Sequence, residues 1–180
     1  IKFLKNLTWL SLDRNAIYTL PEELFELNKL DYLDLSENHI NRLSSSVGKL
    51  TELECLKLGN NCITELPTEI GNLNILVSLQ MKRNQLVHLP TSIGNLKALE
   101  HLNLKENRIV DLPDEIGKLK CLLELNLEGN RLTSLPGSII NLRDTLTLLN
   151  LTGNPIAENG SNGNLGRAEL MAYFDDRVVF

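Results

Sequence analysis

The chain has 180 residues, a net charge of −5 and 42% hydrophobic residues, with one Trp, three Tyr and four Phe. That hydrophobic content excludes a disordered chain. No apolar run reaches the 18 or so residues of a membrane-spanning helix, so no membrane insertion is expected. Lysine and arginine form no cluster, so neither a nucleic-acid footprint nor a polybasic membrane contact is supported. Leucine and asparagine are both in excess, at 40 and 21 residues, which points to an internal repeat.

The repeat is explicit. Asn15, Asn38, Asn61, Asn84, Asn107 and Asn130 are spaced by 23, and Asn154 follows one residue late. Around each runs the pattern LxxLxLxxNxL…LP, as in Leu122, Leu125, Leu127, Asn130, Leu132, Leu135 and Pro136. In each unit LxxLxL predicts a short strand whose residues alternate in and out. Successive strands stack as a parallel sheet about 4.8 Å apart. The Asn, with two donors and an acceptor, satisfies backbone groups left open where the strand turns. The LP pair ends the strand, since Pro lacks an N–H. The following IGxLxxL spacing suits a 3₁₀ or short helical turn on the outer face, with its Gly serving the turn. Departures are few: Ser44 replaces Pro, Phe25 and Ile140 replace Gly, Asn159 stands where Leu is expected, and one residue is gained between Leu142 and Leu146.

At the start, Ile1 already occupies the first apolar slot of a repeat, which predicts that the 180 residues are a piece of a longer protein. At the end, 157–166 is a polar Gly/Asn-rich loop. RAELMAYFDD then predicts a short helix with Leu170, Met171, Tyr173 and Phe174 on one side, before an extended RVVF tail. Residues 157–180 read as a cap on the last repeat or a joint to a following domain.

The segments Leu66-Pro67-Thr68-Glu69-Ile70-Gly71-Asn72-Leu73 and Leu112-Pro113-Asp114-Glu115-Ile116-Gly117-Lys118-Leu119 resemble the 23-residue leucine-rich repeats of the intracellular Ras group, the Ras-suppressor, Shoc-type and Scribble-type proteins. The resemblance covers residues 1 to about 156. It implies an α/β leucine-rich-repeat solenoid, a curved horseshoe with about seven parallel strands on the concave face and 3₁₀, short helical or irregular turns on the convex face. It also implies a non-catalytic signalling scaffold whose protein partner is a small GTPase, a phosphatase or an adaptor domain, and a monomer is expected. Two alternatives stay open: the targeting domain of a larger enzyme such as a kinase, phosphatase, cyclase or deadenylase, and a secreted or surface recognition protein of a parasite or bacterium.

Three scattered cysteines, Cys55, Cys62 and Cys121, form no disulfide framework and favour a reducing, cytoplasmic setting. The period also tests for chemistry. Cys55, Ser78 and His101 fall in one outward column, but Cys55 and His101 are two strands apart, roughly 10 Å, against the ~3 Å a nucleophile and base need. His39 and His88 lie elsewhere. No catalytic residue, metal site or cofactor is expected.

That leaves the concave sheet as the binding candidate, lined by three outward columns. Its N-terminal third sets Trp9 and Tyr32 beside Asp34, with Arg14 at the edge. Its middle reads as basic, with Lys57, Lys82, Arg83, Lys105 and His101. Trp, Tyr and Arg are common interface anchors, so Trp9, Tyr32, Arg14 and Arg83 are the expected anchors, with Asp34, His101 and the lysines giving charge complementarity.

Overall fold

A computed structural model describes residue 1 and residues 3–180. Seven short strands recur with the repeat: β1 (Trp9–Ser11), β2 (Tyr32–Asp34), β3 (Cys55–Lys57), β4 (Ser78–Gln80), β5 (His101–Asn103), β6 (Glu124–Asn126) and, after the two-residue β7 (Leu135–Pro136), β8 (Leu148–Asn150). All pair in parallel in the order of the chain, and the register follows the period: Trp9 opposite Tyr32, Leu33 opposite Leu56, Leu125 opposite Leu149. Because side chains alternate, one register sends Leu33, Leu56, Leu79, Leu102, Leu125 and Leu149 inward, all buried, each worth about 1.5–3 kcal/mol relative to exposure. Their neighbours Leu35, Leu58, Met81, Leu104 and Leu127 point inward too, where the chain leaves the strand.

Among the described residues the sheet holds the seven strands of the repeats and one more. After the antiparallel β9 (Asn164–Leu165), which pairs with β7, come the helix α1 (Arg167–Phe174) and β10 (Val178–Val179), which joins the main sheet beside β8. The apolar tail thus reproduces a strand without the repeat's sequence signature. Of the four residues expected on one side of α1, only Leu170 and Phe174, one turn apart, are buried; Met171 and Tyr173 are exposed, because this two-turn helix presents one narrow stripe to the last repeat. Arg177 fastens the segment by donating to the carbonyls of Arg143, Leu146 (3.1 Å) and Phe174 (3.1 Å).

The return side is a row of 3₁₀ turns at Glu22–Glu26, Ser45–Lys49, Thr68–Asn72, Thr91–Asn95, Asp114–Lys118 and Gly137–Leu142. Five begin after a proline in extended conformation, such as Pro67 at φ −68° and ψ 150°. Ser44 adopts the same geometry in the second repeat, and its Oγ accepts from the Ser46 N–H at 3.1 Å. The glycines of these turns do not serve turn geometry, contrary to the sequence expectation: Gly48, Gly71, Gly94 and Gly117 are absent from the positive-φ residues. They are small because the next repeat lies against them. A Cβ on Gly71 would stand 2.6 Å from the Ser92 carbonyl oxygen.

The asparagines are the polar spine. Asn61 Nδ2 donates to the Leu35 carbonyl of the preceding repeat (3.0 Å) and the Leu58 carbonyl of its own (3.1 Å), while its Oδ1 accepts from the Ile40 N–H (2.9 Å). Asn38, Asn84, Asn107 and Asn130 repeat this and are equally buried. The side chains bond to backbone on two repeats, not to one another. The residue before each turns the chain through the left-handed region, from Arg14 (φ 54°) to Gly129 (φ 67°) and Gly153 (φ 73°). Asn and Gly tolerate that geometry; Arg14, Glu37, Arg83 and Glu106 adopt it at a cost of about 1–2 kcal/mol each.

Candidate protein-binding face

The sheet register lines the outward residues into columns. Trp9, Tyr32, Cys55, Ser78, His101, Glu124 and Leu148 form one row across it. Trp9 and Tyr32 stack, ring centroids 5.1 Å apart and planes 10° off parallel. Such a pair is worth about 0.5–1.5 kcal/mol beyond its burial. The Lys57 ammonium sits 5.1 Å from the Tyr32 ring centroid. The Tyr32 hydroxyl, with Asp34 beyond it, holds that ammonium above its ordinary pKa range. Trp9 still exposes 57% of its surface, a large rigid apolar platform on an otherwise polar sheet.

Asp34 is a supporting residue. Its carboxylate accepts from the Tyr32 hydroxyl (3.2 Å) and the Ser36 N–H (2.9 Å) and lies 4.0 Å from Lys57 Nζ. The middle of the face is not the basic band its composition suggests, because neighbouring repeats supply the counter-charges. Arg83 Nε donates to Glu106 at 2.7 Å, Lys105 Nζ meets Glu128 at 2.9 Å, and His101 Nδ1 lies 3.2 Å from Glu124. The Arg83 guanidinium lowers the Glu106 carboxyl pKa and is itself raised by the pairing. Arg14, at the rim, lies 3.5 Å from Glu37 and 3.9 Å from Asp13. Among the described residues, Lys82 is the one predicted site cation with no ion pair.

Asp34, Lys57 and Lys82, with the rim residue Arg14, border a groove of about 440 Å³ whose floor includes Ser36, Gly59 and Ser78. Trp9 stands beside its N-terminal end; Arg83, His101 and Lys105 lie outside it. A larger groove of about 690 Å³ runs along the return segments past Leu43, Ser44 and Pro67 and shares no residue with the concave columns. Cys55 and His101 are separated by the Ser78 strand; burial pushes the Cys55 thiol pKa up, away from a nucleophile's range. Among the described residues no three His, Cys, Asp or Glu gather as metal ligands.

Sequence reasoning missed the role of the second column. Asp34, Asn103, Asn126 and Asn150 each accept from the N–H two residues on, at 2.9, 3.1, 3.0 and 3.0 Å. These are local turn caps, and the recurrence of Asx in one column was the available signal.

The model for Leucine rich repeat matches residues 5–63, 83–132 and 97–156. A search of curated proteins finds no match. Among solved structures, a leucine-rich-repeat protein of Leptospira interrogans is 31% identical with a TM-score of 0.73, over 99% of this chain and 50% of that one. An internalin of Listeria monocytogenes is 29% identical with a TM-score of 0.80, over 99% and 49%. The PEPR1 chain of PEPR1–AtPEP1, at 23% identity and a TM-score of 0.79 over 99% and 30%, shares the fold. The chain thus spans about half or less of the length of these solved proteins. With its period, parallel sheet and asparagine spine, the chain belongs to the leucine-rich-repeat family.

Proposed function

We propose that the chain is a non-catalytic interaction module that holds a protein partner on its concave face and works as an intracellular signalling scaffold. The observation that carries this is the exposed Trp9–Tyr32 stack on that face. Folding does not require a Trp in an outward slot, and a rigid aromatic surface offers contact area at little entropic cost. The leucine-rich-repeat fold commonly serves protein–protein interaction, which agrees. The intracellular part rests on the LPxxIG motifs of the Ras-group type and on three free thiols, Cys55, Cys62 and Cys121. The partner is a small GTPase, phosphatase or adaptor domain, with Trp9, Tyr32, Arg14 and Arg83 as anchors and Asp34, Lys57, Lys82, His101 and Lys105 supplying charge complementarity.

The test is affinity capture with the wild type and a Trp9→Ala/Tyr32→Ala/Arg83→Ala variant whose circular dichroism matches it. Partners lost from the variant support the reading; an unchanged set of partners refutes it. A second reading, a secreted or surface recognition module of a bacterium, draws on the two bacterial structures that are 31% and 29% identical. Thiol titration of native material separates the two: three free thiols favour the cytoplasm, and loss of thiols to pairing favours the exterior.

A further inference from the structure

The second column departs from its pattern at β1, where the Ser11 hydroxyl donates to the Asp13 carboxylate instead of capping, and at two adjacent repeats. Where four others carry Asp or Asn, β3 and β4 carry Lys57 and Gln80, and neither caps the N–H two residues on. Those N–H groups belong to Gly59 and Lys82. Among the described residues neither finds an acceptor. In the four capped repeats the corresponding N–H is met by a side chain from the concave column, so these two N–H groups face the concave surface. Gly59 is a buried residue, and a buried N–H without a partner calls for an explanation.

Gly59 is also the single glycine in the three columns. Its backbone does not demand glycine, since it is absent from the positive-φ residues. The neighbouring repeat demands it less than at Gly71, since an added Cβ would meet Lys82 Cγ at 3.1 Å and the Lys82 carbonyl oxygen only at 3.4 Å. What glycine provides here is clearance for the Lys82 stem, which crosses it beside the 440 Å³ groove. A glycine on a sheet surface often marks a close approach by another group. Lys82, the unpaired cation, lies over it. Two open N–H donors on adjacent repeats, about 4.8 Å apart by strand spacing, and one free ammonium converge on one hollow.

We infer that this hollow receives a carboxylate, the side chain of an Asp or Glu on an extended segment of the protein partner. The carboxylate takes the place of the Asx side chain missing from β3 and β4, accepting from the Gly59 and Lys82 N–H groups and pairing with Lys82. This rests on the concave face being the partner site and adds which partner side chain enters where.

The probe is a random peptide phage library panned on the whole chain, with selected peptides resynthesised carrying amidated C-termini. Lys57→Asn and Gln80→Asn install the cap that the other repeats use, so both variants remain folded while closing the donors internally. Lys82→Gln removes the charge and keeps most of the stem. Selected peptides are expected to share an Asp or Glu. Changing it to Asn or Gln, or using Gln80→Asn or Lys82→Gln protein, is expected to weaken binding about tenfold or more, the size of a hydrogen bond to a charged group. Peptides without a shared acid, or binding these variants as tightly as wild type, overturn the inference. If such peptides still lose affinity for Trp9→Ala, the concave site stands and the carboxylate hollow falls. If they ignore Trp9→Ala as well, or no binder is selected, both fall.

Discussion

Replacing Asn107 by Leu separates the asparagine spine from the hydrophobic stack in a single perturbation. Asn107 Nδ2 donates to the carbonyls of Met81 (3.0 Å) and Leu104 (2.9 Å), and its Oδ1 accepts from the Leu86 N–H (3.0 Å). All three partners belong to buried residues. Leucine is near-isosteric and helps none of them. The two carbonyls keep a second donor, Asn84 Nδ2 on Met81 at 3.1 Å and Asn130 Nδ2 on Leu104 at 3.0 Å, so only the Leu86 N–H is orphaned. That orphan costs about 1–3 kcal/mol and each of the two lost bonds about 0.5–1.5 kcal/mol, roughly 2–6 kcal/mol together. Asn15 is an internal control. It is exposed and donates only to Leu12 and Asp13 carbonyls of its own repeat, so Asn15→Leu is expected to cost about 1 kcal/mol or less. Urea denaturation followed by circular dichroism reads the difference. At about 2 kcal/mol per molar urea, Asn107→Leu moves the midpoint down by about 1 M or more. A midpoint equal to that of Asn15→Leu would refute the claim that the spine is held by these buried bonds.

Three further outcomes follow from the same geometry. Gly71→Ala drives a Cβ to 2.6 Å from the Ser92 carbonyl oxygen and is expected to cost about 1–3 kcal/mol, whereas Gly59→Ala leaves thermal stability near wild type; equal melting temperatures would contradict the close-approach reading. Tyr32→Ala strips the stacked partner from Trp9, the only Trp in the chain, so tryptophan emission shifts to the red, and an unchanged spectrum would deny the stack. At pH 8 a thiol reagent modifies exposed Cys121 first and Cys55 more slowly, because burial raises the Cys55 thiol pKa; mass spectrometry of partly labelled protein gives the order.

The fold was legible because its physics is periodic. A 23-residue step in Asn and Leu fixes the strand register, and Trp9 opposite Tyr32 follows by counting. Two features escaped because they do not repeat in sequence. The strand at Val178–Val179 has no ladder Asn and enters through a helix, so only its pairing with β8 reveals it. The charge on the concave middle is not legible from Arg83 and Lys105 one at a time, because Glu106 and Glu128 one repeat on pair with them and Glu124 lies beside His101. Glu106 and Glu128 stand in columns beside Lys105 and were visible, but pairing depends on side-chain reach across a 4.8 Å step. The hollow at Gly59 needed the hydrogen bonds: only once Asp34, Asn103, Asn126 and Asn150 are seen as caps does their absence at Lys57 and Gln80 carry meaning.

A protein partner held on the concave sheet lies within reach of Ser78 and away from the return turns. Site-specific photocrosslinking tests this most directly, with a photoreactive amino acid placed at Ser78 on the sheet or at exposed Thr68 on a return turn. Partner crosslinks are expected from Ser78 and not from Thr68. Crosslinks from Thr68 alone would contradict concave binding.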